Sequence, residues 1–410
     1  MTGDGWSAGC ERATAACATA IGLVLPISTA ADNVLLAAVL VLLLIGGYWR
    51  RAYEHLRYSH IAGSALALAT LIAAGTLYTN DTREAWDHAG KYADLAFIPV
   101  FLFLFSRNFR QEMALRAFAA GLGMVLVVSY GIWLGWLPGE PLFRGDVASP
   151  QAFKLRATHN ILLAYGAFLF VCLALRAGSP ARRALWGAAA VAAVFNVTSM
   201  VQGATGYLIL LALAALLVAT RMGLRGIIAG ILAAMAAAAF LYVASDKFSN
   251  RVDSIVHEYK TWQPTERSAT STGQRLEFYA NTLGIIREHP WTGVGTGGFP
   301  AAYQKAVEGT PLPPTRNPHS EFLGFAVQFG IGGALALLAF FALLWREASR
   351  IPDVTHRTLA RGLILAMVIG CTFNSLLLDH TEGLLFAWLT GLLYAGVQSR
   401  PVPSQASAPT

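Results

Sequence analysis

Charge is scarce in this chain: Asp, Glu, Lys and Arg together make up 13% of its residues, against 55% hydrophobic residues and a mean hydropathy of +0.52. A water-soluble domain could not hide that much apolar surface, so most soluble classes are excluded. Cysteine is scarcer still. Cys10, Cys17, Cys172 and Cys371 fall in or near apolar and inward-facing segments, which leaves no disulfide framework and no metal-ligand spacing. Ionisable residues are missing from the deep parts of the apolar runs, where an ion-coupled pump would need them. A positively charged leader is missing too. The first run is flanked by Asp4 and Glu11, so it reads as a retained helix in preference to a cleaved signal peptide, despite the A-x-A-like stretch near Ala30. No internal repeat stands out, and the only biased stretch, Pro401 to Thr410, reads as a disordered tail.

What is present is a succession of long apolar runs bounded by charge. They predict helices over 13–30, 34–49, 61–77, 92–106, 114–137, 160–175, 184–200, 204–220, 226–243, 322–345, 362–378 and 384–398. The chain therefore reads as an all-α polytopic membrane protein with about 12 transmembrane helices of about 20 residues each. Its organisation is helices one to nine over 1–243, one long loop over 244–318, helices ten to twelve over 319–400, and the tail 401–410.

Arginine is distributed unevenly between alternate loops, and this sets the expected orientation. Arg50, Arg51, Arg57, Arg107, Arg110, Arg116, Arg176, Arg182, Arg183, Arg221, Arg225, Arg346, Arg350, Arg357 and Arg361 fall in one set of short loops. The other set has Arg83, Lys91, Arg144, Lys154 and Arg156, diluted by five carboxylates. Both termini are thus expected in the cytoplasm, and the long loop outside. The formal net charge of +7 belongs to this topology and not to a nucleic-acid partner.

The long loop contains Leu276, Tyr279, Leu283 and Ile286 at helical spacing, which predicts an amphipathic helix at the membrane surface. It exits through the Pro-rich run Gly309 to Pro318. Gly293, Gly295 and Gly298 formally match G-x-G-x-x-G, but no strand precedes them, which excludes a dinucleotide fingerprint. They read equally as a tight turn or as bare backbone approaching an anion. Charged groups gather at the outer ends of the helices: Lys91 and Asp94, Lys154, Arg156 and His159, Arg275, Arg316 and His319, then Asp379, His380 and Glu382. Cations from four segments meeting at one membrane surface point to a lipid-linked phosphate or pyrophosphate.

Residues 272–281 (TGQRLEFYAN), 289–299 (HPWTGVGTGGF) and 317–323 (NPHSEFL), followed by Gly330, resemble the signature of the O-antigen ligase and polymerase superfamily. The motifs span the loop, and the resemblance extends to the topology of the whole chain. It implies a glycosyltransferase C-like membrane fold in the bacterial inner membrane with its site facing the periplasm. It also implies a transferase without metal or cofactor, which moves a glycan from undecaprenyl pyrophosphate to a sugar hydroxyl of the lipid A core. The matching catalytic positions are Arg275 and His319. Family members often have Ser-Arg-Gly where this chain has Val201-Gln-Gly-Ala-Thr205, which removes one expected cation and leaves Arg156 or Lys91 to supply its charge. Further candidates for pyrophosphate or glycan contact are Arg316, Asp379 and Gly295, and Glu321 or Asp379 would be the next candidate base after His319.

Spacing alone favours plainer readings, with His319 a cap histidine satisfied by backbone and Arg275 a solvated face charge. The resemblance reverses that preference for both, and less so for Arg156. For Lys91, Arg316 and Asp379, snorkelling or ion pairing accounts for the residues as well. O-antigen polymerase and protein-glycosylating relatives share the motifs, and a transporter of lipid-linked oligosaccharide is the reading from outside the enzyme class.

Overall fold

The computed structural model describes residues 3–106, 108–263 and 267–397. The expected tail, 401–410, lies outside the described residues. Every described element is helical, and the described part of each of the twelve apolar runs overlaps a helix, with 92–106 divided between a 3₁₀ turn and a helix of eight residues.

The bundle opens with α1 (Gly3–Val24) and α2 (Thr29–Ile45), and α2 is bent by 100° into the short α3 (Trp49–Leu56). Next come α4 (His60–Gly75), α5 (Thr82–Lys91), a 3₁₀ turn over Tyr92–Ala96, α6 (Phe97–Leu104), α7 (Asn108–Trp133), α8 (Arg156–Arg176) and α9 (Pro180–Phe195). A π turn, Asn196–Met200, ends α9. The long α10 (Ala204–Ala244) reverses at Gly223, whose φ of 59° lies in the left-handed region that glycine enters without strain. The outer segment follows as α11 (Asp246–Thr261), α12 (Ser271–Glu288) and α13 (Phe299–Ala306). The chain then returns through α14 (Glu321–Ala348), α15 (Val354–Phe373) and α16 (His380–Tyr394).

Among the described residues, five helical stretches can cross a membrane by length and composition: Arg110–Trp133, Arg156–Arg176, Arg225–Ala244, Glu321–Ala348 and Val354–Phe373. The bent pair α2 and α3 makes a sixth if counted as one span, and α4 and Ala204–Thr220 are shorter apolar helices. The fold is thus that of a polytopic helical membrane protein. The first run packs inside the bundle, with Ala18 and Ile21 fully buried and the Trp388 indole donating to the Ala18 carbonyl at 2.7 Å.

Two apolar cores result. The larger fills the bundle, and the smaller joins Phe278, Ile285, Phe299, Tyr303 and Val327, tying α12 and α13 down onto the start of α14. The stripe expected on α12 is divided: Phe278, Thr282, Ile285 and Ile286 face this small core, Leu276 and Tyr279 are half-buried on a groove, and Leu283 is exposed. The reason is that α12 has a neighbour on two sides and so cannot keep one lipid-facing stripe.

The break in α14 at Gly330 (φ 71°) fixes how the outer segment docks. A break orphans carbonyls and an amide. The Val327 and Gln328 carbonyls accept from the amides of Val294 (2.9 Å) and Gly295 (3.0 Å), and the Ile331 amide donates to the Pro290 carbonyl at 2.8 Å. A glycine is required at 330 because a Cβ would stand 2.4 Å from the Trp291 carbonyl oxygen.

Candidate active site

His319 is the only non-glycine residue with positive φ (55°) among the described residues. A non-glycine residue held there costs about 1–3 kcal/mol and persists only where its surroundings impose it. Here they do. The Asn317 side-chain oxygen accepts from the His319 amide (2.8 Å) and from the Ser375 hydroxyl (2.7 Å), while the Tyr279 hydroxyl donates to the His319 carbonyl at 3.0 Å. The ring lies flat on Phe278, with centroids 5.5 Å apart and an interplanar angle of 23°. Neither ring nitrogen is spent on a hydrogen bond within the described residues. Burial, and secondly the charge of Arg275, push the imidazole pKa below its ordinary value, so the ring is neutral near pH 7 and able to accept a proton.

Arg275 rises from α12 toward the same place. Its guanidinium donates to the Asn374 side-chain oxygen at 3.1 Å, and Asn374 in turn donates to the Thr205 hydroxyl at 3.0 Å, so the end of α15 and the start of α10 aim the arginine together. Burial, and further the charge of Arg251, act against its ionised form. Arg275 lines an apolar groove of about 360 Å³ whose walls include Tyr207, Leu211, Ile255, Leu276 and Phe373. Arg251, on α11, lines the same groove.

A second cavity, of about 510 Å³ and polar, reaches the chain two residues before His319, at Asn317. Arg83, Lys91 and Arg316 supply its cations, and Glu84, Asp87 and Asp379 its anions, with Asn317 at its edge. Its charges are largely matched: Arg316 Nη2 donates to both oxygens of Glu84 at 2.7 and 2.5 Å, and Lys91 meets Asp87 at 2.8 Å. Burial raises the pKa of Asp379, which opposes the nearby Lys91.

The predicted residues thus divide. His319 and Arg275 come together; Lys91, Arg316 and Asp379 share the polar vestibule and do not line the groove of Arg275. Arg156, exposed at the start of α8, lies near enough to Tyr207 for its charge to be felt there. Lys154 and His159 belong to the bundle interior: the ammonium binds the Thr29 and Thr381 hydroxyls at 2.7 and 3.0 Å, and the imidazole Nε2 meets the Asn196 oxygen at 3.0 Å. Asp94 and His380 are also internal, with the His380 ring bridging Asp94 (3.1 Å) and the fully buried Asp32 (3.0 Å). That bridge ties α2, the 3₁₀ turn and α16 beneath the vestibule. Glu321 is fully buried, with one oxygen receiving the Tyr92 hydroxyl at 2.6 Å and the other the Leu377 amide at 2.8 Å. Each oxygen thus already accepts a hydrogen bond that holds the fold.

Gly295 needs a correction. Every backbone amide from 293 to 298 already donates: to the oxygens of His289, Val327, Gln328, Gly75, the Gln328 side chain and Gly295 in order. No donor in this turn is left for an anion, so of its two readings the tight turn is the one that holds. A second correction concerns metal. The resemblance implies no metal, yet Glu84, Asp87 and His88 on α5 bring one ligand atom each within 4.8 Å of one another. The i, i+4 spacing of Glu84 and His88 was the available signal. Arg316 and Lys91 already neutralise the two carboxylates, which is a poor setting for a dication. Sequence reasoning also passed over Arg251, Asn317 and Asn374, for which only proximity in the fold is informative.

A family model described as O-antigen ligase matches residues 188–338, which hold α11 to α13, Arg275 and His319. No curated protein matches the chain. Among solved structures the chain is similar to one from "Structural coordination of polymerization and crosslinking by a peptidoglycan synthase complex", with 18% identity, a TM-score of 0.46, and coverage of 82% of this chain and 96% of that one.

Proposed function

With the match over residues 188–338 supporting membership of the O-antigen ligase superfamily, we propose that the protein transfers a glycan from undecaprenyl pyrophosphate to a sugar hydroxyl of the lipid A core. The observation that carries this reading is His319 itself, a neutral imidazole on a backbone held at positive φ, within reach of the Arg275 charge and with neither ring nitrogen spent on a hydrogen bond within the described residues. The groove suits the first isoprene units of a lipid carrier, with Arg275 on the diphosphate. The charge-balanced vestibule suits a hydrophilic acceptor sugar, for which Lys91, Arg316 and Asp379 offer hydrogen bonds. Arg156 lies on the groove side, where it adds positive potential.

The reaction is a single displacement. The acceptor oxygen attacks the anomeric carbon, the bond from that carbon to the phosphate oxygen breaks, and its electron pair leaves with undecaprenyl pyrophosphate. The hydroxyl proton passes to a His319 ring nitrogen and then to water. Arg275 stabilises the charge that grows on the departing diphosphate. Such a displacement inverts the anomeric centre. The donor brings its own leaving group, so no metal or nucleotide is needed. The arginine-rich loops argue for both termini in the cytoplasm and for a site facing the periplasm.

The test is reconstitution of the purified protein with lipid-linked glycan and rough lipopolysaccharide, followed by product sizing. Glycan appearing on the lipopolysaccharide is the expected result. Longer glycan on the prenyl carrier with no use of lipopolysaccharide identifies a polymerase, and movement of intact donor between leaflets without either product identifies a transporter.

A further inference from the structure

The groove that holds Arg275 is unbalanced in charge, and the vestibule is not. Arg251 and Arg275 both line the groove, close enough that the charge of Arg251 acts on Arg275. Among the described residues one carboxylate answers them. Glu258 stands 3.7 Å from Arg251, a long ion pair, and its other oxygen is already taken by the Thr272 amide at 3.0 Å. The remaining contacts of Arg251 are weak, to the Ser271 and Thr272 hydroxyls at 3.2 and 3.4 Å. Beside them the Tyr207 hydroxyl is buried and lacks a hydrogen-bond partner of normal geometry. Like charges held together at the edge of a low-dielectric groove, next to a hydroxyl with no better partner than the Gly203 backbone, are costly unless an anion with several acceptor oxygens joins them.

We infer that Arg251 is a second ligand of the donor's diphosphate, sharing it with Arg275 across the mouth of the groove. This rests on the donor reading given above. Two guanidinium groups from different helices reach both phosphates of a diphosphate, whereas a monophosphate offers fewer oxygens for the pair to divide. Arg251 therefore sets the preference for a diphosphate over a monophosphate carrier. It also ties α11 to α12 when the donor is bound.

The experiment measures binding of undecaprenyl pyrophosphate, undecaprenyl phosphate and undecaprenol to the full chain in detergent, for the wild type and for Arg251→Gln, Arg251→Lys, Arg275→Gln and Glu258→Gln. The expected result is a loss of about ten- to hundredfold in diphosphate affinity for Arg251→Gln. Undecaprenol affinity should be unchanged, and Lys should restore part of the loss. Glu258→Gln removes the structural ion pair but keeps the cation, so it should leave diphosphate affinity equal or tighter. Wild-type affinity for the diphosphate after Arg251→Gln, alongside a loss for Arg275→Gln, overturns the inference while leaving the donor reading in place. An equal loss for Arg251→Gln and Glu258→Gln also overturns it, because the arginine would then act only by holding α11 to α12. If the wild type does not prefer the prenyl diphosphate to undecaprenol, the donor reading itself fails and the inference with it.

Discussion

Replacing His319 with asparagine separates the imidazole from the backbone that carries it. Asn is among the few residues that tolerate positive φ, so the strained segment, the Asn317 contact to its amide and the Tyr279 contact to its carbonyl should all survive. What is lost is a proton acceptor near Arg275. Loss of a positioned general base lowers turnover by about 10²- to 10⁴-fold, or roughly 2.7–5.5 kcal/mol of barrier. Because burial and Arg275 hold the imidazole pKa below its ordinary value, the wild-type rate should climb with pH through a limb on the acid side of the usual histidine range and then level off. The sign follows from protonation: acid converts the base to imidazolium beside a guanidinium, which removes the acceptor. Single-turnover transfer from preloaded donor, measured across pH, provides the assay. The variant should lack the acid limb and retain donor affinity. Normal turnover in a folded His319→Asn protein, or an unchanged acid limb, refutes the assignment and leaves His319 an orienting group.

Three further outcomes are expected. Cysteines introduced by Lys260→Cys and Lys305→Cys should react with an impermeant thiol reagent from outside while Arg182→Cys should not, and the reverse pattern would put the site in the cytoplasm. Transfer should persist in EDTA; complete loss that magnesium restores would assign a metal role to the Glu84, Asp87 and His88 cluster. Gly330→Ala should lower thermal stability in detergent by at least about 1 kcal/mol, since the left-handed backbone alone costs that much and the new Cβ meets the Trp291 carbonyl; an unchanged melting temperature would mean that the break in α14 moves freely.

The apolar runs and the motif around Arg275 and His319 were readable because each signal is local: periodicity reports a buried face, and residue types at fixed offsets report a turn or cap. Partners across the fold are not encoded that way. His380 reads as a mouth histidine until Asp32 and Asp94 are found on either side of it, and Asp32 is 348 residues distant in the chain. Arg251 sits on a polar helix that, taken alone, resembles any solvated surface helix, and only the return of α12 brings it to Arg275. The glycine turn misled for a related reason. Bare amides in sequence suggest a ligand, but the break in α14 had already created carbonyls in need of donors. Lys91 and Arg316 carried the right charge for phosphate, yet Asp87 and Glu84 stood closer.

The pairing of residues 294 and 295 with the carbonyls of 327 and 328 has a further consequence for which lengths of chain this region accepts. It works as a two-rung ladder whose register is set by counting residues between His289 and Phe299. Adding or removing one residue there would shift every amide past its acceptor, turn glycines away from the left-handed positions at 293, 295 and 297, and leave carbonyls at the α14 break without donors. The stretch from Gly309 to Arg316 carries no comparable ladder, and its residues lie largely exposed. Variation in loop length should therefore collect after α13 and avoid the turn before it, although both segments look equally irregular.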